Sequence, residues 1–316
     1  MKAIQIEEFG GPEVLQYRDL PDPEAGDGEV VIEIARAGIN FADTHATRND
    51  YLAEQTLPMV PGGEVSGRTP DGRRVAALLG GGAYAQKVAV PEALVVPIPD
   101  EVDDDQAAAL LLQGLTAMSL VRICARVEPG ETVVVEAAAG GTGSLSVQLA
   151  KRAGARVIGL ASSEEKRALV ERLGADATVD SRSDSLKDEI LAANDGSRVD
   201  AVLHMSGGDA FDEELAAVGP LGRMVVFGIA SREQREVSTA RLLRGSKAVI
   251  GFWLIHLLAA RRELATQMIG ELLAAVGSGE LEVTIGGVYP LTEAAGAHED
   301  LISRTTSGKL LLDPSS

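Results

Sequence analysis

The chain has a single cysteine, Cys124, and this scarcity limits the chemistry open to it. One thiol cannot form an intramolecular disulfide, and it cannot supply the several cysteines of a cysteine-based zinc site. We therefore expect neither a crosslinked scaffold nor a cysteine-based metal centre.

Positive charge and long apolar runs are scarce as well. The 316 residues include 29 Lys and Arg against 47 Asp and Glu, a formal net charge of −18. Such a surface repels phosphate backbones and anionic lipids, so we expect no nucleic acid and no membrane partner. The closest approach to a membrane span, residues 251–260, is too short, and the N-terminus lacks the apolar core of a signal peptide. We expect a soluble, cytoplasmic protein.

The pattern of apolar residues changes at about residue 132. Residues 1–100 are typical of short strands and turns, with strands predicted at 28–39 and 83–91. From 132 onward strands and helices alternate, which predicts an α/β unit with a doubly wound parallel sheet. An edge strand is predicted at 247–254, followed by a long helix and a β-rich tail resembling the first hundred residues. The chain is therefore expected to leave one domain, build a second and return.

The stretch AAAGGTG at 137–143 follows a buried strand and precedes a helical pattern. Small residues there let backbone N–H groups approach a pyrophosphate, and the helix N-terminus favours an anion. Ala138 replaces the first glycine of the dinucleotide fingerprint. A tight turn without a ligand is the alternative, but the strand–turn–helix context favours a dinucleotide. The predicted contacts are Gly140, Gly141, Thr142 and Gly143.

The end of the second strand of this unit discriminates between the two nicotinamide dinucleotides. An NAD site would carry Asp or Glu there, whereas this chain has Ser162 and Ser163. Their hydroxyls do not repel a 2′-phosphate, and Lys166 and Arg182 could neutralise it. The acidic pair at 164–165 opposes this, and either cation could instead be solvated. We predict NADPH rather than NADH.

Several segments, in their order and spacing, resemble one known family along nearly the whole chain. They are FGGPEVLQ (9–16), AGINFADTHATRNDY (37–51), PGGEVSG (61–67), AAALLLQGLTA (107–117), AAAGGTG (137–143), GFWL (251–254) and SGKLLLDP (307–314). The chain resembles the zinc-free quinone oxidoreductase branch of the medium-chain dehydrogenase/reductase superfamily. This implies a GroES-like β-rich catalytic domain (1–116 and 255–316), an inserted Rossmann domain (117–254), and a cleft between them for nicotinamide and substrate.

The resemblance also implies that no catalytic zinc is present. Zinc members of the superfamily hold the metal with Cys, His and Cys. The matching positions here are Asn40, Gly63 and Leu112, which cannot replace that set. We expect no metal, so hydrogen bonds must polarise the substrate.

Three residues near the N-terminus are the catalytic candidates that the resemblance implies. Tyr51 matches the catalytic tyrosine of related enoyl thioester reductases, although it could simply pack in a loop. Asn40 is expected to bond substrate or cofactor, and Asp43 to anchor the loop. His45 falls where quinone reductases often carry Tyr. It is interpreted either as a second hydrogen-bond donor or as a surface histidine.

Further cofactor contacts are implied at the domain junction and at later strand ends. Gln113 and Thr116 match contact positions, or else cap a helix. Lys309 matches a phosphate contact, with an exposed lysine as the alternative. The nicotinamide amide is expected beside two segments, the second of which is otherwise an apolar edge strand at a dimer interface. These segments are Phe227, Gly228 and Ile229, and Phe252, Trp253 and Leu254.

The remaining histidines, His204, His256 and His298, show no ligand spacing and are interpreted as ordinary, and Glu64 as structural. We predict an NADPH-dependent reductase of quinones or α,β-unsaturated carbonyls that forms a homodimer through the Rossmann edge strand. One alternative is an enoyl thioester reductase, whose CoA or carrier-protein substrate would need arginines at the mouth of the site. Another is a catalytically idle, crystallin-like NADPH-binding protein. The candidate arginines are Arg48, Arg241 and Arg244.

Overall fold

The structure, a computed structural model that describes residues 1–50 and 52–316, divides into two units. Unit 1 comprises Met1–Leu112 and Ile269–Ser316, and unit 2 comprises Gln113–Met268. The chain thus leaves unit 1, builds unit 2 and returns. The predicted boundaries, after 116 and after 254, differ from these divisions because each division falls inside a helix, where the sequence carries no turn signal.

The bounds of the strands and helices follow in chain order. The strands are β1 (Lys2–Gln5), β2 (Gln16–Asp19), β3 (Glu29–Ile39), β4 (Glu64–Arg68), β5 (Arg74–Leu78), β6 (Lys87–Pro91), β7 (Val95–Pro97), β8 (Thr132–Val135), β9 (Arg156–Ala161), β10 (Ala177–Asp180), β11 (Val199–His204), β12 (Val218–Val226), β13 (Ala248–Gly251), β14 (Ile285–Pro290) and β15 (Lys309–Asp313). The helices are α1 (Phe41–Ala46), α2 (Asp104–Ser119), α3 (Gly141–Arg152), α4 (Glu164–Arg172), α5 (Leu186–Ala193), α6 (Gly208–Ala217), α7 (Thr239–Gly245), α8 (Leu254–Ala260), α9 (Arg262–Gly277) and α10 (Ala294–Ile302).

Unit 1 is β-rich and is built on a sheet of order β14-β15-β3-β4-β5-β7, with β6 also paired to β3. The return segment joins this sheet directly, because β15 pairs antiparallel with β3 and parallel with β14. Ile32, Ile34 and Ile39 of β3 enter the core of this unit together with Tyr84. The alternating pattern that predicts a strand at 28–39 thus corresponds to a strand with one face in the core.

Unit 2 contains a parallel sheet of order β10-β9-β8-β11-β12-β13. Val133 and Val135 pack on one side of it, in a cluster with Val147 of α3. Val134 packs on the other side with Ile190 of α5. Because both faces are covered, the strand is apolar throughout. The strand order reverses between β8 and β11, and open parallel sheets bind ligands at the carboxyl edge of that switch point.

Within the described part of the chain, one helical segment, Asp104–Ala125, is long and apolar enough to cross a membrane by length and composition. It joins α2 to a π-helical turn at Leu120–Ala125. However, 72% of its apolar window is buried inside the structure, as is typical of a core helix in a soluble protein. The sequence-based expectation that residues 251–260 come closest to a span is therefore wrong, since that stretch is split between β13 and α8.

Candidate active site

The glycine turn, residues 137–143, connects β8 to α3 at the carboxyl edge of the parallel sheet. Ala137 has a φ of 48°, and its carbonyl oxygen accepts a hydrogen bond from the Gly140 N–H at 2.8 Å. A Cβ atom on Gly143 would lie 2.2 Å from the same oxygen and 2.8 Å from the Ala137 carbonyl carbon. Only glycine therefore allows α3 to start so close to the turn.

Gly141 and Gln113, two predicted cofactor residues, are brought together. A Cβ atom on Gly141 would lie 1.6 Å from Gln113 Oε1, so the amide of Gln113 occupies that space. The first turn of α3 carries no acidic side chain, and its N-terminal N–H groups and dipole favour an anion. The residues present fit a pyrophosphate, although its approach to Gly141, like the contact at Thr116, stays a prediction.

The end of β9 presents the two serines predicted to replace an acidic residue. Ser163 is the N-cap of α4, and its hydroxyl accepts a hydrogen bond from the Lys166 N–H at 3.3 Å. Burial lowers the pKa of the Lys166 ammonium, and the nearby Glu165 partly opposes this. Arg182 donates to Asp180 through Nε at 3.1 Å and Nη2 at 2.9 Å. Its charge is thus paired with Asp180, and its contact with a 2′-phosphate stays a prediction.

Arg167 is a cation at this strand end that the sequence reasoning did not identify. Its Nη1 atom lies 3.2 Å from Asp180 Oδ2 and donates to the carbonyl oxygen of Ala161, the last residue of β9, at 3.2 Å. The available signal was its place four residues after the Ser163 N-cap, on the first full turn of α4. It lies nearer to the end of β9 than its position in the sequence suggests.

The two segments predicted to hold the nicotinamide amide follow β12 and β13. The Phe227 N–H donates to His204 O at 3.0 Å, and the Phe252 N–H donates to Val226 O at 2.9 Å. The predicted edge strand is shorter than expected, because β13 ends at Gly251 and Trp253 is already the N-cap of α8. Both segments lie at the carboxyl edge of the sheet, as do the glycine turn and the serines.

In unit 1, the Asn40 side chain lies between the carboxylate of Glu64 and the ammonium of Lys309. Its Nδ2 atom donates to Glu64 Oε1 at 2.8 Å, and its Oδ1 atom accepts from the Lys309 ammonium at 2.7 Å. Lys309 also donates to Glu64, whose other oxygen accepts from the Leu112 N–H at 2.9 Å. Lys309 is only 1% exposed, so the alternative of an exposed lysine is wrong; its phosphate contact stays a prediction. Burial lowers the pKa of its ammonium, and the Glu64 carboxylate opposes this.

A zinc ion does not fit these residues. Of the three positions that match the zinc ligands, Gly63 and Leu112 offer no donor side chain. The third, Asn40, directs its amide oxygen at an ammonium group, and a divalent cation there would meet the positive charge of Lys309.

The N-terminal part of α1 is held by a second buried chain of polar groups. Asp43 Oδ2 accepts from the Asn40 N–H at 2.8 Å and from the Tyr84 hydroxyl at 2.9 Å. The Tyr84 hydroxyl also lies 2.9 Å from His298 Nε2. Burial raises the pKa of Asp43 to about 6 and lowers that of His298 to about 4. The contacts of Asp43 agree with the anchoring role predicted for it.

His45 is buried in α1 rather than on the surface, with 3% exposure. Its Nδ1 atom lies 2.7 Å from Asp50 Oδ1, and its ring packs against Phe41 with centroids 5.6 Å apart. The surface alternative is therefore wrong, while the role as a second donor stays a prediction. Tyr51, the first catalytic candidate, lies outside the described residues.

A buried cluster in unit 2 escaped the sequence reasoning. Ligand-type atoms of Glu136, His204 and Glu214 lie within 4.8 Å of one another. The interpretation of His204 as an ordinary histidine did not anticipate this cluster. The signal was an acidic residue at position 136, inside a run of otherwise apolar and small residues. His256, in contrast, packs its ring edge-on against Trp253 at 5.1 Å between centroids.

A parallel sheet with its glycine turn at the switch point, inserted into a β-rich unit, defines a dinucleotide-dependent dehydrogenase fold. Comparison with known families agrees: residues 26–100 match the "Alcohol dehydrogenase GroES-like domain" family, and residues 141–273 match the "Zinc-binding dehydrogenase" family.

Relatives that match along their whole length identify the family more narrowly. The chain is 35% identical to a quinone oxidoreductase of Pseudomonas aeruginosa over 99% of both chains. It superposes on the Escherichia coli quinone oxidoreductase complexed with NADPH with a TM-score of 0.94, at 30% identity over 99% of this chain and 100% of that one. The corresponding values for the Thermus thermophilus quinone oxidoreductase are 0.88, 37%, 99% and 100%. The chain belongs to the quinone oxidoreductase branch of the medium-chain dehydrogenase/reductase superfamily.

Proposed function

We propose that this protein is an NADPH-dependent oxidoreductase that reduces a quinone or an α,β-unsaturated carbonyl compound without zinc. The observation that carries the proposal is the full-length similarity to quinone oxidoreductases, two of which have been crystallised with NADPH. The glycine turn supports the choice of cofactor, since its small residues and the acid-free start of α3 suit a pyrophosphate.

The residues of the chain bind and orient the cofactor and the substrate, and they polarise the substrate. Bound NADPH supplies the hydride, and the electron-poor carbon of the substrate accepts it. Negative charge then develops on the substrate oxygen, where a hydrogen-bond donor stabilises it. Asn40 and Tyr51 are the proposed donors, with His45 as a further candidate. The amide oxygen of Asn40 accepts from the Lys309 ammonium and its Nδ2 atom donates to Glu64, so these two contacts fix the orientation of the amide.

Zinc independence is supported by the donor set. The side chains at the matching positions cannot form the usual tetrahedral site, and the buried Lys309 brings its own positive charge. A metal-free, hydrogen-bond-based mechanism is what these residues allow.

The enoyl thioester alternative has less support. It requires cations free to meet an anionic CoA or carrier protein. Arg241 and Arg244 line a cavity of about 330 Å³, but Arg241 is already bonded to Asp212. The adjacent Lys247 donates to the carbonyl oxygen of Leu215 at 2.7 Å. We therefore rank quinones and enones first.

A cytoplasmic homodimer is part of the proposal. The outer strand β13 has only β12 beside it among the described residues, so it can pair with a second copy. Ile255, in α8 just beyond this strand, is 50% exposed, and Leu243 of α7 is 82% exposed. Such apolar groups are typical of surfaces that become covered by a partner.

The test is NADPH oxidation, followed by absorbance, with a quinone, a simple enone and crotonyl-CoA as acceptors. Turnover with the first two, unaffected by chelators and reduced by Tyr51→Phe, is expected. Oxidation with crotonyl-CoA alone would establish the thioester alternative. Tight NADPH binding without turnover on any acceptor would establish the idle, crystallin-like alternative.

A further inference from the structure

Glu136 lies between the last residue of β8 and the glycine turn. It is 7% exposed, and its backbone N–H donates to Leu203 O at 3.1 Å. A buried carboxylate is costly unless hydrogen bonds compensate for its lost hydration. Its neighbours in sequence are apolar or small, so the compensation must come from a distant part of the chain.

That compensation comes from the turn after β11. Glu136 Oε2 accepts hydrogen bonds from the backbone N–H of Met205 at 2.6 Å and of Ser206 at 2.9 Å. The Ser206 hydroxyl donates to the other carboxylate oxygen. Bonds to an ionised acceptor are among the stronger hydrogen bonds in proteins. One side chain thus ties the segment before the glycine turn to the next strand of the sheet.

The turn after β11 is tied in the same way to the segment after β12. The Ala230 N–H donates to Met205 O at 3.0 Å, and the Ser231 N–H donates to Ser206 O at 2.8 Å. A Cβ atom on Gly228 would lie 2.9 Å from Met205 O, so the two segments are in close contact. A continuous chain of bonds therefore links the predicted pyrophosphate site to the predicted nicotinamide site, Phe227 to Ile229.

His204 orients the carboxylate at the centre of this chain. Its Nε2 atom accepts from the Gly207 N–H at 2.9 Å, so the ring hydrogen is on Nδ1. Nδ1 lies 2.7 Å from Glu214 Oε2 and 3.1 Å from Glu136 Oε2. The imidazole can therefore donate towards both carboxyl groups, and it fixes their positions relative to α6.

We propose that Glu136 is a positioning residue for the cofactor: its carboxylate sets the spacing between the glycine turn and the segments that follow β11 and β12. The proposal rests on the proposed function, because it concerns the NADPH of that reaction. Glu136 acts through the backbone amides of Met205 and Ser206. Its loss should impair NADPH binding and the alignment of the nicotinamide without unfolding the sheet.

The test compares Glu136→Gln and Glu136→Ala with Glu131→Gln. Glu131 is the matched control because it lies at the opposite end of β8, where both of its oxygens bond to Arg223 at 2.6 Å. We expect both Glu136 variants to lower kcat/KM for NADPH by about tenfold or more, with both KM and kcat affected. Glu131→Gln should stay within about twofold of wild type, even where thermal unfolding shows an equal loss of stability.

Hydrogen exchange of the cofactor-free protein provides a second readout. The Met205 and Ser206 amides should exchange faster in the Glu136 variants and at the wild-type rate in Glu131→Gln. The proposal is overturned if folded Glu136 variants use NADPH like wild type, or if Glu131→Gln shows an equal loss. Failure of the proposed function would look different, since wild-type protein itself would then not oxidise NADPH.

Discussion

The ammonium of Lys309 lies 2.7 Å from the amide oxygen of Asn40 and also bonds the buried carboxylate of Glu64. These contacts fix the orientation of the Asn40 amide, and they place a positive charge where zinc-dependent relatives would need metal ligands. The pair of Lys309 and Glu64 is therefore part of the chemistry proposed for this unit as well as of its packing.

Removal of one member of this ion pair should be costly. Lys309→Met leaves the Glu64 carboxylate buried without its cation, and we expect the free energy of unfolding to fall by about 3 to 5 kcal/mol. The double variant Lys309→Met/Glu64→Met should recover most of this loss, because no charge stays buried. Urea denaturation measures both. Lys2→Met, at the exposed pair with Asp19, is the control and should lose much less stability, because an exposed ion pair is screened by water. Equal losses in the single and double variants would contradict the prediction.

Alanine substitutions at glycines should have graded effects. Gly143→Ala places Cβ 2.2 Å from a backbone oxygen, so the turn must move, and the Kd for NADPH should rise at least tenfold. The three atoms nearest to a Cβ at Gly141 all belong to the flexible Gln113 side chain, so Gly141→Ala should have a smaller effect. Gly270→Ala, in the interior of α9 with open space around it, should stabilise the protein by about 0.5 to 1 kcal/mol. Calorimetric titration measures the Kd values, and thermal unfolding measures the stability of Gly270→Ala. A Kd for NADPH that rises as much or more in Gly141→Ala than in Gly143→Ala would contradict the prediction.

The Tyr84 hydroxyl serves two buried partners. Tyr84→Phe would leave Asp43 and His298 each without one hydrogen bond, and we expect a loss of about 2 kcal/mol in unfolding free energy. Tyr17→Phe is the matched control, because Tyr17 is 42% exposed, and it should change stability by less than about 0.5 kcal/mol. A Tyr84 variant as stable as the control would show that the hydroxyl is dispensable.

Glu214 should make stability fall with increasing pH. Burial and the nearby Glu136 charge raise its pKa from 4.5 to about 8. Between these values the folded protein keeps a proton that the unfolded chain has released, so its contribution to stability declines as the pH rises and is lost above pH 8.

The measurement is urea unfolding at pH 6.5, 7.5 and 8.5. Glu214→Gln resembles the protonated carboxyl, so the decline should be reduced by up to about 1.4 kcal/mol per pH unit relative to wild type. Glu213→Gln, one position earlier on α6, should keep the wild-type decline. Parallel pH profiles for wild type and Glu214→Gln would exclude a raised pKa at this position.

Arg167 is expected to favour NADPH over NADH. Its side chain contacts the last residue of β9. Arg167→Ala removes this charge and should raise KM for NADPH about tenfold, while KM for NADH changes little. Arg172→Ala, at the far end of α4, should leave both values unchanged. Steady-state kinetics with each cofactor measures the two KM values. An equal rise in both would show that Arg167 does not contact the 2′-phosphate.

Local patterns were enough to predict the architecture. The apolar run before residue 136, the glycines after it and the alternation of strands and helices to residue 251 predict a parallel sheet, and the structure confirms it. Such features depend on backbone geometry and on neighbours a few residues away, which the sequence displays directly.

The partners of polar side chains required the tertiary structure. Asn40 and Lys309 are 269 positions apart, and Glu136 is about 70 positions from the amides that surround its carboxylate. Nothing in a local pattern distinguishes a buried His45 or Lys309 from an exposed one, because burial depends on which strands become neighbours. The sequence by itself determined the sheet, its glycine turn and the family. Only the folded chain decided which charges are paired and buried, since electrostatic and hydrogen-bond partners are set by distance in space and not along the chain.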